Sequence, residues 1–155
     1  MYRRSARLPE ASEKPLRSVE LHNRYPTVGL PEIDCDHRRI DDELQRLAAA
    51  VSLDSAVQAA KARASLLAEL AVHFDHEERL MRQIQYADLP RHQQAHAAFL
   101  AGARRIPIRK SRADPILSSR FVRWAARIEE WFHSHMLEED LPLGRAVLTS
   151  QARSR

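Results

Sequence analysis

The chain has 155 residues, of which 44% are hydrophobic and 30% are charged, a length and balance that fit one domain with a buried core. Only three residues are glycine, which argues against a many-stranded β fold with its many tight turns. The single cysteine, Cys35, excludes an intramolecular disulfide, a zinc finger and an iron–sulfur cluster, and is typical of a reducing compartment. Eight histidines leave a metal site of imidazole and carboxylate ligands open.

The formal charge of +4 comes from 25 basic and 21 acidic residues, and the basic excess lies at the two ends and in the stretch 104–112. We do not expect nucleic-acid binding, because no aromatic residues interleave with these basic residues. The N-terminal arm and the basic stretch are instead candidate contacts for a protein partner. Because no run of about 18 apolar residues and no apolar signal segment occurs, we expect no membrane span and a cytoplasmic location.

The N-terminal part is predicted to be extended, because residues 1–30 contain several prolines and show little apolar periodicity. Within it, residues 1–20 are expected to be a flexible basic arm. Apolar residues at helical spacing then predict a first helix that begins near Ile33 or Asp34. A break follows, and a second helix is expected with Asp54 or Ser55 as its N-cap.

An aspartate followed by a proline is typical of a helix start, and this pattern at Asp88 and at Asp114 predicts a third and a fourth helix. Pro107 should end the third helix. Pro142 and Gly144 should end or bend the fourth, with a flexible tail over 149–155. The sequence therefore predicts an all-α, up-down-up-down antiparallel four-helix bundle over residues 21–148, whose core can hold metal ions.

Histidines and carboxylates occur on every predicted helix at spacings that bring them to one face. His73 and Glu77 are four residues apart on the second helix, as are His92 and His96 on the third. Residues four apart lie one turn above each other, so each pair can direct two ligand atoms to one place. The candidates on the other two helices are His37, His135, Glu139 and Asp140.

This ligand count indicates two metal ions. Five imidazoles and two carboxylates exceed what one zinc ion takes, and they suit two ions that share bridging carboxylates. The lack of sulfur ligands argues against Cu(I), whereas iron, zinc, manganese and Cu(II) remain compatible.

Residues 20–141 resemble bacterial hemerythrins, the bacteriohemerythrin family of di-iron proteins. The resemblance rests on Val28–Asp34 followed by His37, on His73–Glu78 followed by Met81 and Tyr86, and on the pair His92 and His96 with His135 and Asp140. The chain departs from the family pattern at Leu21, Asp36 and Ala87, and its stretch between His96 and His135 is long, but no ligand position is lost.

The resemblance implies a centre of two iron ions joined by an oxo or hydroxo group. One iron would be held by His92, His96 and His135, and the other by His37 and His73. Glu77 and Asp140 would bridge them. The second iron would have one ligand fewer, which leaves a position for dioxygen.

The resemblance also implies an apolar dioxygen pocket, which shields bound oxygen from water and protons. These residues are equally suited to an ordinary core. The positions are Ile40, Phe74, Trp131, Phe132 and Met136.

One implied ligand conflicts with ideal helix geometry. Asp140 follows His135 by five residues, which is about 140° around an ideal helix, whereas Glu139 would face the same way as His135. The resemblance indicates Asp140, which requires a π-type widening or a helix end near Pro142. His22, His76, His133 and Cys35 are not expected to be ligands.

We therefore predict a non-haem di-iron protein that binds dioxygen reversibly, for storage, delivery or sensing, and that is not an enzyme. The alternatives are a di-iron enzyme that handles dioxygen, peroxide or nitric oxide, and a sensor module that acts through a protein partner. The sequence leaves the oligomeric state open.

Overall fold

The computed structural model describes residues 25–105 and 119–154, and these residues are almost entirely helical. The elements in chain order are α1 (Pro31–Ser52), α2 (Ala56–Gln83), α3 (Leu89–Arg104), α4 (Ser119–His135), a π-helical turn (Met136–Asp140) and α5 (Leu141–Arg153). The first four helices form the predicted all-α bundle. Within the described ranges, no helix is long and apolar enough to cross a membrane.

Helix α1 begins at Pro31, two to three residues before the predicted start near Ile33 or Asp34. Pro31 occupies its first turn, where the absent N–H of proline costs little, and Leu30 precedes it in an extended conformation. The Asp34 carboxylate instead accepts hydrogen bonds from the backbone N–H groups of Val28 (2.7 Å) and Gly29 (3.1 Å). Gly29 has a φ of 86°, a left-handed conformation that favours glycine. The turn before α1 is thus stabilised by a carboxylate of the helix itself.

The caps of the next two helices follow the predicted residues in part. The Ser55 hydroxyl accepts a hydrogen bond from the N–H of Gln58 (3.3 Å), so Ser55 rather than Asp54 caps α2. Helix α3 follows Asp88, although the Asp88 side chain makes no capping hydrogen bond. The predicted arm 1–20, the helix end at Pro107 and the helix start at Asp114 lie outside the described residues.

The C-terminal prediction is wrong in one respect. Pro142 does not end the helical path, because it lies in the first turn of α5, directly after the π-helical turn. Helix α5 continues to Arg153, so residues 149–153 are helical where a flexible tail is predicted. Its buried residues Leu143 and Val147 pack against apolar residues near the start of α1, which explains why the helix persists.

Two apolar clusters enclose a polar layer. The larger cluster contains Ile40, Phe74 and Phe132, and the smaller one contains Ile33, Met81, Leu143 and their neighbours. Helices α1 and α2 contribute residues to both clusters and α4 to the larger one, and each of the three carries a buried histidine or carboxylate in the polar layer. These residues are His37, His73, Glu77 and His135. The packing of the bundle thus brings the predicted ligands to one level.

Two glycines provide a matched test of this packing. A Cβ at Gly144 would lie 2.6 Å from the carbonyl oxygen of Val28, whereas a Cβ at Gly102 would meet nothing within 4 Å. We expect Gly144→Ala to lower the free energy of unfolding by about 1–3 kcal/mol, through overpacking, despite the better helix propensity of alanine. Gly102→Ala should raise it by up to about 1 kcal/mol. Urea denaturation measures both, and equal effects of the two substitutions would contradict the packing of α5.

Candidate metal centre

Glu77 lies at the centre of four imidazoles. The residue is fully buried, with 0% of its surface exposed. Its Oε2 atom lies 3.3–3.6 Å from the Nε2 atoms of four histidines. The distances are 3.3 Å to His96, 3.4 Å to His92 and His135, and 3.6 Å to His73. A single carboxylate therefore faces ligand atoms from three helices.

Asp140 faces two groups of histidines with its two oxygens. Its Oδ2 lies 2.9 Å from Nε2 of His37 and 3.6 Å from Nε2 of His73. Its Oδ1 lies 3.2 Å from Nε2 of His135. Asp140 is also fully buried, at 0% exposure. This arrangement suits a carboxylate that bridges two ions, one on each side.

The structure brings all seven predicted ligands together. Two overlapping groups have ligand atoms that all lie within 4.8 Å of one another, and both contain Glu77 and His135. One group adds His92 and His96, and the other adds His73 and Asp140. His37 joins the second group through its contact with Asp140.

The predicted π-type widening is present, as the turn Met136–Asp140. A π turn inserts one residue into the helical path, so the fifth residue after His135 takes the inward direction that the fourth would have in an α-helix. Glu139 is displaced outward to 24% side-chain exposure, where both of its oxygens accept hydrogen bonds from Arg91 at 2.9 Å. The backbone therefore selects Asp140 over Glu139.

Several buried polar atoms of this cluster lack a hydrogen-bond partner. They include Oε1 of Glu77, Oδ1 of Asp140, and both ring nitrogens of His73. An unsatisfied buried polar group costs about 1–3 kcal/mol, and more when it is charged. Coordinated cations would satisfy these atoms, and nitrogen with carboxylate oxygen is a donor set that iron, zinc and manganese accept. The residues present thus fit a metal centre.

Two further carboxylates, Glu78 and Glu139, which are not among the seven predicted ligands, contact the outer nitrogens of the histidines. Oε1 of Glu78 lies 3.2 Å from Nδ1 of His96, and Oε2 of Glu139 lies 3.3 Å from Nδ1 of His92. Such outer partners fix the tautomer and the orientation of a metal-binding imidazole. Each is the sequence neighbour of a predicted carboxylate ligand. That adjacency is the only sequence signal that could have identified their contacts with the histidines.

Asp36 is a third carboxylate outside the predicted set. It is only 1% exposed, and it pairs with Arg39 and with Nδ1 of His76 (2.7 Å). Its Oδ2 lies 3.9 Å from Nδ1 of His73. Burial raises the pKa of Asp36, but its contacts with His73 and His76 outweigh this and lower the pKa below its usual value. An ionised carboxylate thus stands behind His73.

Aromatic rings cover the faces of two histidines. Phe74 stacks on His96 with ring centroids 3.7 Å apart, and Trp131 stacks on His135 at 4.6 Å. Phe99 in turn stacks on Trp131 at 3.6 Å. These rings exclude water from this side of the cluster and restrict rotation of the imidazoles.

Phe132 covers the other side, edge-on to His37 at 5.6 Å and to His73 at 6.1 Å. Ile40 and Met136 are completely buried. The predicted apolar pocket residues are therefore buried or half-buried. Three of the five, all aromatic, contact the histidine cluster directly, and their role toward a gas ligand stays a prediction.

Four residues were not expected to be ligands, and the three that the structure describes are not part of the cluster of seven. His76 is directed to Asp36 and Glu32, and His133 is exposed. Cys35 is half-buried and accepts a hydrogen bond from Arg39. His22 lies outside the described residues.

The cluster holds protons tightly when no cation is bound. Burial opposes the charged form of His73, but Glu77, Asp140 and Asp36 outweigh it and raise the pKa of His73 to about 10. Burial likewise raises the pKa of Glu77, and the surrounding histidines reverse this and lower it well below its usual value. Metal binding must therefore displace a proton from His73.

This proton gives a pH prediction for the protein freed of metal with a chelator. The pKa of His73 is raised from 6.5 to about 10, so its stabilisation is complete below pH 6.5 and is lost as the pH rises toward 10. We expect the free energy of unfolding, measured by urea denaturation, to fall across that range. His73→Gln should flatten the dependence. An equally steep decline in the variant would show that other groups cause it.

Comparisons with known proteins agree with this geometry. A model of the hemerythrin HHE cation-binding domain matches residues 28–147. The fold is similar to a crystal structure of a hemerythrin with one leucine changed to tyrosine, with a TM-score of 0.67 and 18% identity over 82% of this chain and 98% of that chain. It is similar to a leucine-to-phenylalanine mutant with the same TM-score and coverage, at 19% identity. No curated protein matches the chain in sequence.

Proposed function

The chain belongs to the family of hemerythrin HHE cation-binding domains. We propose that it holds two iron ions and binds dioxygen reversibly between these ions and the predicted apolar pocket residues. The observation that carries this proposal is the orientation of Asp140, whose two oxygens face His135 on one side and His37 with His73 on the other. One carboxylate directed to two imidazole groups is the arrangement that two adjacent cations require.

The ligand set divides unequally in this proposal. His92, His96 and His135 would hold one iron, and His37 and His73 would hold the other. Glu77 and Asp140 would be shared. The side with two imidazoles has one protein ligand fewer, so an exogenous ligand has access there and not on the side with three.

When bound, a pair of ferrous ions would supply two electrons to dioxygen and recover them when it leaves, so that binding is reversible. The protein would contribute the surroundings. Phe132 lies edge-on to both His37 and His73, the two-imidazole side, and its burial keeps water from that position. Ile40 and Met136 would extend this apolar, water-free surface. Exclusion of water slows the delivery of protons and the irreversible oxidation of the metal.

The donor composition favours a dioxygen binder over an enzyme. The di-iron sites that activate oxygen in four-helix bundles are built mainly from glutamates, with Glu-x-x-His pairs on the helices. Here five of the seven proposed ligands are neutral imidazoles, which leave less negative charge to stabilise high oxidation states of iron. We therefore propose oxygen storage, delivery or sensing as the role.

An optical experiment tests reversibility. The iron-loaded protein, reduced without air and then exposed to it, should develop a visible absorption band that disappears on removal of oxygen and returns over repeated cycles. Irreversible oxidation on first exposure, with consumption of an added reducing co-substrate, would instead indicate a di-iron enzyme and contradict the proposal.

Two neighbouring carboxylates test the assignment of the shared ligands. Asp140→Ala should lower the iron content of purified protein by at least one equivalent per chain, because it removes both oxygens that face the histidines. Glu139→Ala removes only an outer contact to His92 and the pair with Arg91, so its iron content should remain close to that of the unmodified protein. Metal analysis of the two variants decides, and loss of iron only with Glu139→Ala would refute the assignment.

A further inference from the structure

A groove of about 680 Å³ lies between α3 and α4, outside the polar cluster. This volume is within the range of about 300–1,000 Å³ that small-molecule sites have. Its apolar floor is formed by Phe99, Trp124, Ile128 and Trp131. Trp131 also stacks on His135, so its ring separates the groove from the histidine cluster.

The α3 side of the groove carries no large side chain beyond Phe99. Ala98 and Gly102 line it, and a Cβ built on Gly102 would meet no atom within 4 Å. The opening therefore continues along the helix instead of closing beside Gly102. From Arg120 to Trp131 the α4 side is about 16 Å long at the rise of an α-helix.

The rim of the groove is strongly basic. Arg120, Arg123 and Arg127 line it, and their spacing places them on one face of α4. All three are exposed, and no acidic residue is among the described residues that line the groove. No described residue forms an ion pair with these three guanidinium groups. Arginine presents a planar fork of N–H donors, which matches a carboxylate.

We propose that this groove binds a fatty acid, with the carboxylate at the arginine rim and the alkyl chain along the aromatic floor. The apolar floor selects an alkyl chain, and the three arginines select an anionic head over a neutral or cationic one. The site is separate from the proposed dioxygen position, and its test does not depend on that proposal.

The two tryptophans of the chain both line the groove, so intrinsic fluorescence reports its occupancy directly. The experiment titrates the full-length, iron-loaded protein with sodium dodecanoate below its micelle concentration, and calorimetry gives the stoichiometry. We expect saturation at one dodecanoate per chain. Dodecyltrimethylammonium, which has the same chain and the opposite charge, should bind at least about ten-fold more weakly.

Three variants separate the groove from non-specific binding. Gly102→Leu should fill the groove and weaken dodecanoate binding at least about ten-fold, and leucine is the better helix former, so folding is favoured. Arg123→Gln combined with Arg127→Gln should weaken dodecanoate binding and strengthen that of dodecyltrimethylammonium, because it removes charge that attracts the first and repels the second. Arg145→Gln removes an exposed arginine from α5 and serves as the matched control, with unchanged binding.

The outcomes that overturn the proposal are specific. Equal affinity for the two head groups, or unchanged binding in Gly102→Leu, would mean that the alkyl chain binds elsewhere. Absence of saturable dodecanoate binding would equally refute it.

Discussion

Two carboxylates buried among five imidazoles are the constraint on which the rest of this structure depends. Glu77 and Asp140 have no exposed surface, and several atoms of their cluster have no hydrogen-bond partner. Burial of charge is expensive unless opposite charge compensates it. In the absence of cations, protons held by residues such as His73 provide part of that compensation. Bound cations would provide it fully, so metal binding and stability are coupled.

The surrounding fold keeps this polar layer in place. Apolar clusters lie on both sides of it, and aromatic rings from α2 and α4 stack directly on His96 and His135. On the outer side, Asp36, Glu78 and Glu139 stand behind His73, His96 and His92 respectively. The ligands are thus fixed by packing on one side and by charge on the other, which is a rigid arrangement suited to holding a metal in one geometry.

Helical spacing alone predicts the bundle and places His73 with Glu77 and His92 with His96 on common faces. The full set of seven clustered residues also needed the family resemblance. The spacing was less informative where two carboxylates are adjacent. Helical periodicity alone would predict Glu139, and not Asp140, as the carboxylate that faces the histidines. Only the family resemblance indicated Asp140, which the π turn directs inward. The persistence of α5 beyond Pro142 depends on packing against residues far away in the chain, as does the groove between α3 and α4. Neither has a local sequence signal.

The central claim is that one cluster holds two cations. Anaerobic titration of the metal-free protein with ferrous iron, followed by metal analysis after removal of unbound ions, tests it most directly. The account predicts saturation at two irons per chain, with Glu77 and Asp140 shared between them. Saturation at a single ion per chain would contradict it, since one ion cannot use both groups of histidines that Asp140 faces.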